Sequence, residues 1–176
     1  MSAKVNVTNQ YLSTRQLCVS AVMGALVFIM TVVPRVPIPL GYAHLGDAMI
    51  FLVVILAGRR EGIVAGCIGS AFADFIGGFP IWIGPTLIIK FLMAEIFWQI
   101  ALKNTDKLKL FSLRMISGLV LSCLVMAAGY TIFGAILYDS MALGLASAPG
   151  LLMEGAVNIA AFYIAGTVLS RKRITF

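Results

Sequence analysis

Long apolar runs alternate along this chain with short clusters of charges, prolines and glycines, and within the runs polar residues do not recur at every second position. In lipid every backbone N–H and C=O must be satisfied inside the protein, which leaves helices or a closed barrel. Without period-two alternation, helices are expected. The runs predict six, at about Arg15 to Val33, Leu45 to Gly58, Glu61 to Gly77, Ile83 to Leu102, Ser112 to Leu137, and Pro149 or Gly150 to Ser170. The fold class read from the pattern is all-α, a single six-helix membrane domain over residues 1–176.

The second run, about fourteen residues, would rise roughly 21 Å against a hydrocarbon core of roughly 30 Å. It cannot cross alone as a straight helix. Before it lie Pro34, Pro37 and Pro39, and residues preceding proline are pushed toward extended conformations. The stretch Pro34 to His44 therefore reads as a long, ordered outer loop that dips into or caps the outer side.

Composition sharpens the class. Of 176 residues, 61% are hydrophobic and 11% charged, with a mean hydropathy of +1.02, too few polar groups to cover a soluble domain. The first run ends in Pro34 without a small-x-small site and reads as a retained helix rather than a cleaved signal. Cys18, Cys67 and Cys123 lie singly inside apolar runs, and with one histidine in the chain neither a disulfide framework nor a metal site is expected.

The formal charge of +6 matters through its placement. With the N-terminus inside, the cytoplasmic side receives Lys4, Arg15, Arg59, Arg60, Lys103, Lys107, Lys109, Arg114, Arg171, Lys172 and Arg173, which is eleven of the 13 basic residues. Arg35 is left outside and Lys90 within the membrane. Both termini are expected to be cytoplasmic, and the loops Arg35 to His44, Gly77 to Gly84 and Tyr138 to Ser147 to face outward. The basic balance thus belongs to membrane topology and implies no nucleic acid; no nucleotide-binding loop appears, so ATP hydrolysis is not expected of this chain.

Ionisable groups inside a membrane are costly unless paired or hydrated and are the first candidates for function. Lys90 lies roughly 10 Å below the outer end of the fourth span, and Glu154 about five residues below that of the sixth. Their similar depth allows a shared outward-facing cavity, in which they hold a ligand or pair as a structural bridge. Asn158 shares a helix face with Glu154, and Thr86 with Lys90. Trp82, Tyr42, Tyr130, Tyr138 and Tyr163 offer flat surfaces, either for a ring-shaped ligand or as interfacial belt residues. His44 is a ligand contact or a solvated loop residue. Asp47 suits capping of the second helix, and Asp74 suits a structural role near the outer end of the third. Glu95 points about 140° from Lys90 and falls outside the site. On the first helix, Ser20, Ala21, Gly24 and Ala25 make two interleaved small-xxx-small pairs, a surface for close approach by another helix of this chain or of a partner.

No metalloprotease motif, paired carboxylates on one helix face or nucleophile-histidine arrangement is present, and no filter-like loop suggests an ion channel. Binding of a small organic solute is the expectation. A stand-alone carrier would need Glu154 or Glu95 for ion coupling, and no internal repeat is apparent; a structural membrane subunit without a ligand is a third class.

Three stretches carry a resemblance: His44-Leu-Gly-Asp47 through Gly58, Gly66-Cys-Ile-Gly69-Ser70-Ala-Phe-Ala-Asp74-Phe-Ile-Gly-Gly78, and Pro85-Thr86-Leu-Ile-Ile-Lys90. With its length and six expected helices, the chain resembles a substrate-binding S component of an energy-coupling factor (ECF) vitamin transporter, in the branch of the hydroxymethylpyrimidine and pyridoxine components, sometimes grouped with the riboflavin ones. The resemblance implies a bacterial cell-membrane protein, not an enzyme and without a cofactor, whose partners are a transmembrane coupling subunit and two cytoplasmic ATPases. It implies that vitamin binds at the outer face and that the subunit topples in the bilayer to release it. It also implies substrate contacts at Thr86, Lys90, Glu154 and Asn158, with Tyr42, His44 and Trp82 nearby, and contact with the coupling subunit through Ala21 and Ala25. Hydroxymethylpyrimidine or pyridoxine suits these side chains best; riboflavin, or pantothenate with its carboxylate on Lys90, is the alternative.

Overall fold

The computed structural model describes residues 14–105 and 109–171. Lys4, Lys107, Lys172 and Arg173, assigned above to the cytoplasmic side, lie outside the described residues, as does the side chain of Arg171.

Among the described residues the chain runs through α1 (Thr14–Val32), a hairpin of β1 (Val36–Ile38) and β2 (Gly41–Ala43), then α2 (Gly46–Leu56), α3 (Arg59–Ile76), α4 (Ile83–Phe97), α5 (Leu113–Leu137) and α6 (Met141–Arg171). A 3-10 turn, Pro80–Trp82, leads into α4, and a π turn, Trp98–Leu102, extends it. Four stretches are long and apolar enough to cross a membrane: Thr14–Val32, Pro80–Leu102, Leu113–Leu137 and Met141–Ser170. The other two helices fall short of that measure. α2 has 11 residues, and α3 opens on Arg59, Arg60 and Glu61.

α2 is short because it is the centre of the fold. Eight of its residues are buried, including Ile50, Phe51, Val53 and Val54, and α1, α3, α4 and α6 all pack against it. A helix apolar on every side belongs in a core. Phe51 meets Phe97 of α4 at 4.8 Å between ring centroids and Phe162 of α6 at 6.3 Å, tying three helices into one aromatic cluster.

The small residues of α1 divide between two faces. Ser20 and Gly24 are buried, and α3 approaches so closely that a Cβ on its Gly69 would lie 2.5 Å from the Gly24 carbonyl oxygen. Ala21 and Ala25 are exposed, on the rim of an apolar groove between α1 and α3 that also runs past Phe28, Ile68 and Phe72.

The outer loop is more regular than its three prolines suggest. Val36 pairs with Ala43 and Ile38 with Gly41, closing a two-residue turn at Pro39 and Leu40, where Leu40 takes φ 65°. This hairpin lies against α5 and α6: a Cβ on Gly134 would meet Leu40 at 2.9 Å, and one on Gly150 would meet Ile38 at 3.0 Å. Arg35 anchors its base, donating to the carbonyls of Ala73 at 3.3 Å and Thr31 at 3.4 Å and lying 4.1 Å above the Tyr42 ring.

One helix boundary is corrected. The sixth helix starts at Met141, not at Pro149 or Gly150, so the expected outer loop Tyr138 to Ser147 shrinks to a tight turn. Ser140 caps the new start by accepting the Leu143 N–H at 3.3 Å, and Pro149 lies inside the helix. Membrane helices tolerate such a proline because neighbouring groups satisfy the freed carbonyl. Arg59 grips Glu95 through two bonds, 2.6 and 2.9 Å, and Gln99 donates to the same carboxylate, and Glu95 does not line the cavity beneath the hairpin.

Candidate substrate site

Beneath the hairpin is a cavity of about 60 Å³, room for a few water molecules. Tyr42, His44, Trp82 and Glu154, all named from the sequence, line it, together with Asp74, Tyr130 and the hairpin turn itself. Tyr130 and Trp82 face one another at 5.6 Å between centroids. The wall is therefore aromatic on one side and carries two carboxylates, a mixture suited to a flat polar solute.

Lys90, Asn158 and Thr86 stand behind this wall, each engaged with protein. Lys90 does not pair with Glu154. Its ammonium lies 2.5 Å from Asp47 Oδ1, the two side chains being 1% and 0% exposed. Glu154 instead meets the end of the hairpin: its Oε1 accepts the His44 N–H at 3.3 Å and lies 3.1 Å from His44 Nδ1. The cause is the seating of α2, which begins between α4 and α6 and turns Asp47 toward α4.

Asp47 consequently does not cap α2, which has no side-chain cap at Leu45. Asn158 does that work from α6. Its Oδ1 accepts the Ala48 N–H at 2.7 Å, one of the orphan donors of a helix start, and its Nδ2 donates to the carbonyls of His44 at 2.7 Å and Glu154 at 2.9 Å. Thr86 donates to Asp74 Oδ2 at 2.5 Å, which leaves its oxygen to accept from the Tyr130 hydroxyl at 3.1 Å. Tyr42 reaches the other Asp74 oxygen at 3.5 Å. Asp74, expected in a structural role, holds side chains from the hairpin and α4 together. The signal was present in the sequence, since an acid at the outer end of an apolar helix needs donors, but a single sequence does not say whose.

Burial governs the protonation of the two hairpin groups. It pushes the His44 imidazole down to about 4, against the raising effect of Asp47, so the ring is neutral at physiological pH. Burial, aided by Asp74, pushes the Tyr42 phenol up to about 12.

The family model of the ECF-type riboflavin transporter S component matches residues 11–174. The chain belongs to this family. As an ECF S component it is a substrate-binding subunit of a transporter rather than an enzyme, and its apolar helices place it in a membrane. A solved S component of a bacterial ECF transporter shares the fold, with a TM-score of 0.73 at 16% identity over 92% of this chain and 98% of that one. This S component is also 40% identical over 114 residues to an uncharacterized protein of Pyrococcus woesei, covering 64% of this chain and 73% of the relative.

Proposed function

We propose that this S component binds a vitamin or vitamin precursor with a flat nitrogen-containing ring at its outer face and carries it across the cell membrane. The observation that carries the reading is the cavity beneath the hairpin, where Tyr42, Trp82 and Tyr130 supply ring faces and His44 and Glu154 supply hydrogen-bonding groups. Lys90, Asn158 and Thr86 act there as a supporting layer that fixes Asp47, α2 and Asp74. All six helices lie within the bilayer, with both termini cytoplasmic. The Ala21 and Ala25 face of the α1–α3 groove receives the coupling subunit, and two ATPases drive the cycle.

The small volume of the cavity favours a single ring, such as hydroxymethylpyrimidine or pyridoxine. Riboflavin is the second reading, favoured by the family match. Native mass spectrometry of the protein purified in mild detergent, with release and identification of bound small molecules, tests the proposal. A stoichiometric vitamin is the expected result. An empty protein that also gives no heat with pyridoxine, hydroxymethylpyrimidine or riboflavin would refute it.

A further inference from the structure

Among the described residues, the two cations nearest the cavity both hold protein groups, and two carboxyl groups face it. The wall holds Asp74 and Glu154 and neither lysine nor arginine. Lys90 is paired with Asp47, almost fully buried, and its ammonium lies 5.2 Å from the centroid of the Tyr130 ring, one of the wall groups. Arg35 lies on the Tyr42 ring and donates to two backbone carbonyls.

The free hydrogen-bonding groups are equally specific. Both oxygens of Asp74 are used, by Thr86 and Tyr42. Glu154 engages His44 through Oε1 only, so Oε2 remains as an acceptor without a protein donor. Trp82 is 6% exposed and its indole N–H is buried with no partner, a costly state for a donor unless something completes it.

Resting on the vitamin-binding reading above, we infer that this cavity selects an uncharged or protonated nitrogen heterocycle and rejects anions, with Glu154 Oε2 and the Trp82 indole N–H as the groups that read its edge. The ligand offers a donor, such as an exocyclic amine, hydroxymethyl group or protonated ring nitrogen, to Glu154. It offers an acceptor to Trp82, while its faces rest against Tyr130 and Tyr42. An anion entering the same space meets two carboxyl groups and finds no lysine or arginine on the wall to answer it. Phosphorylated and carboxylate-bearing vitamins are excluded on this ground, pantothenate among them.

The test compares vitamins with and without an anionic group on the same ring. Calorimetry on the purified, lipid-reconstituted protein would use pyridoxine against pyridoxine 5′-phosphate, riboflavin against riboflavin 5′-phosphate, and pantothenate as a lone carboxylate. The neutral member of one pair is expected to bind at least about a hundredfold more tightly than its phosphate, with no heat from pantothenate. Glu154→Gln, of equal volume, should weaken the neutral ligand about tenfold or more and narrow the gap to its phosphate; Trp82→Phe, which keeps a ring but removes the donor, should weaken it about tenfold. Melting curves check both variants, and the charge comparison on the unaltered protein does not depend on them. Equal or tighter binding of a phosphate overturns the inference and leaves the vitamin-binding reading standing. Binding of no compound in any pair removes both.

Discussion

Asn158 reaches from α6 into the first turn of α2, accepting from the Ala48 N–H and donating to the His44 carbonyl, each at 2.7 Å. The residue therefore couples the end of the hairpin to the start of the core helix. Replacing it with alanine leaves two buried backbone groups without partners, at about 1–3 kcal/mol each. Asn158→Ala should lower the detergent melting temperature with or without ligand, as read by tryptophan fluorescence. An unchanged melting temperature with weakened binding would mean that the amide serves the ligand alone.

The Lys90 and Asp47 pair gives a contrast between single and double changes. Lys90→Met strands a fully buried carboxylate and should cost about 3–5 kcal/mol, whereas Lys90→Met combined with Asp47→Leu removes both charges and should recover most of the loss. A double-mutant cycle on thermal stability measures the coupling. Additive losses would show that the two charges do not depend on each other.

Gly150 separates the stability of α6 from the seating of the lid. Alanine is the better helix former by about 0.8–1 kcal/mol, but its Cβ would press on Ile38 of the hairpin at 3.0 Å. Gly150→Ala should keep or raise the melting temperature while speeding ligand release severalfold, which stopped-flow fluorescence can follow.

His44 sets an acid limit. Its native pKa of about 4 lies below the ordinary 6.5, so between those values the unfolded chain holds a proton that the folded chain lacks. Stability is present in full above pH 6.5 and falls as the pH drops toward 4, with a slope of at most about 1.4 kcal/mol per unit for this one proton. His44→Gln should flatten that part of the melting-temperature profile, and an unaltered profile would show that His44 is not its source.

Ala21 and Ala25 should matter to assembly alone. Ala21→Leu with Ala25→Leu adds bulk on the exposed side of α1 and leaves Ser20 and Gly24 against α3. Vitamin binding should persist while co-purification of the coupling subunit is lost. Intact co-purification would place that partner elsewhere.

Hydrophobic runs made most of the helical framework legible: α1 to α5, with the π turn closing α4, begin and end within two residues of the stretches read from the sequence. The start of α6 was not, because Pro149 is an ordinary first residue of a helix and also a tolerated interior one in a membrane, and Ser140 is a weak cap signal beside an all-apolar stretch. At the site, depth along α6 set Glu154 at the level of the cavity, where Trp82 from the turn before α4 and Tyr42 and His44 from the hairpin also lie. Partner choice was beyond reach. Whether Lys90 meets Glu154 or Asp47 depends on how α2 threads between α4 and α6, a packing result that no local pattern encodes.

The 31 residues of α6 rise about 46 Å as a helix, well beyond a hydrocarbon core of roughly 30 Å. Its neighbour α5, at 25 residues, is also longer than the core requires. If α6 spans the membrane, it reaches past the hydrocarbon into both headgroup regions unless it leans or bends at Pro149. Thicker membranes should then favour a more upright α6 and thinner ones a more tilted one, so that lipid chain length biases the attitude of this edge.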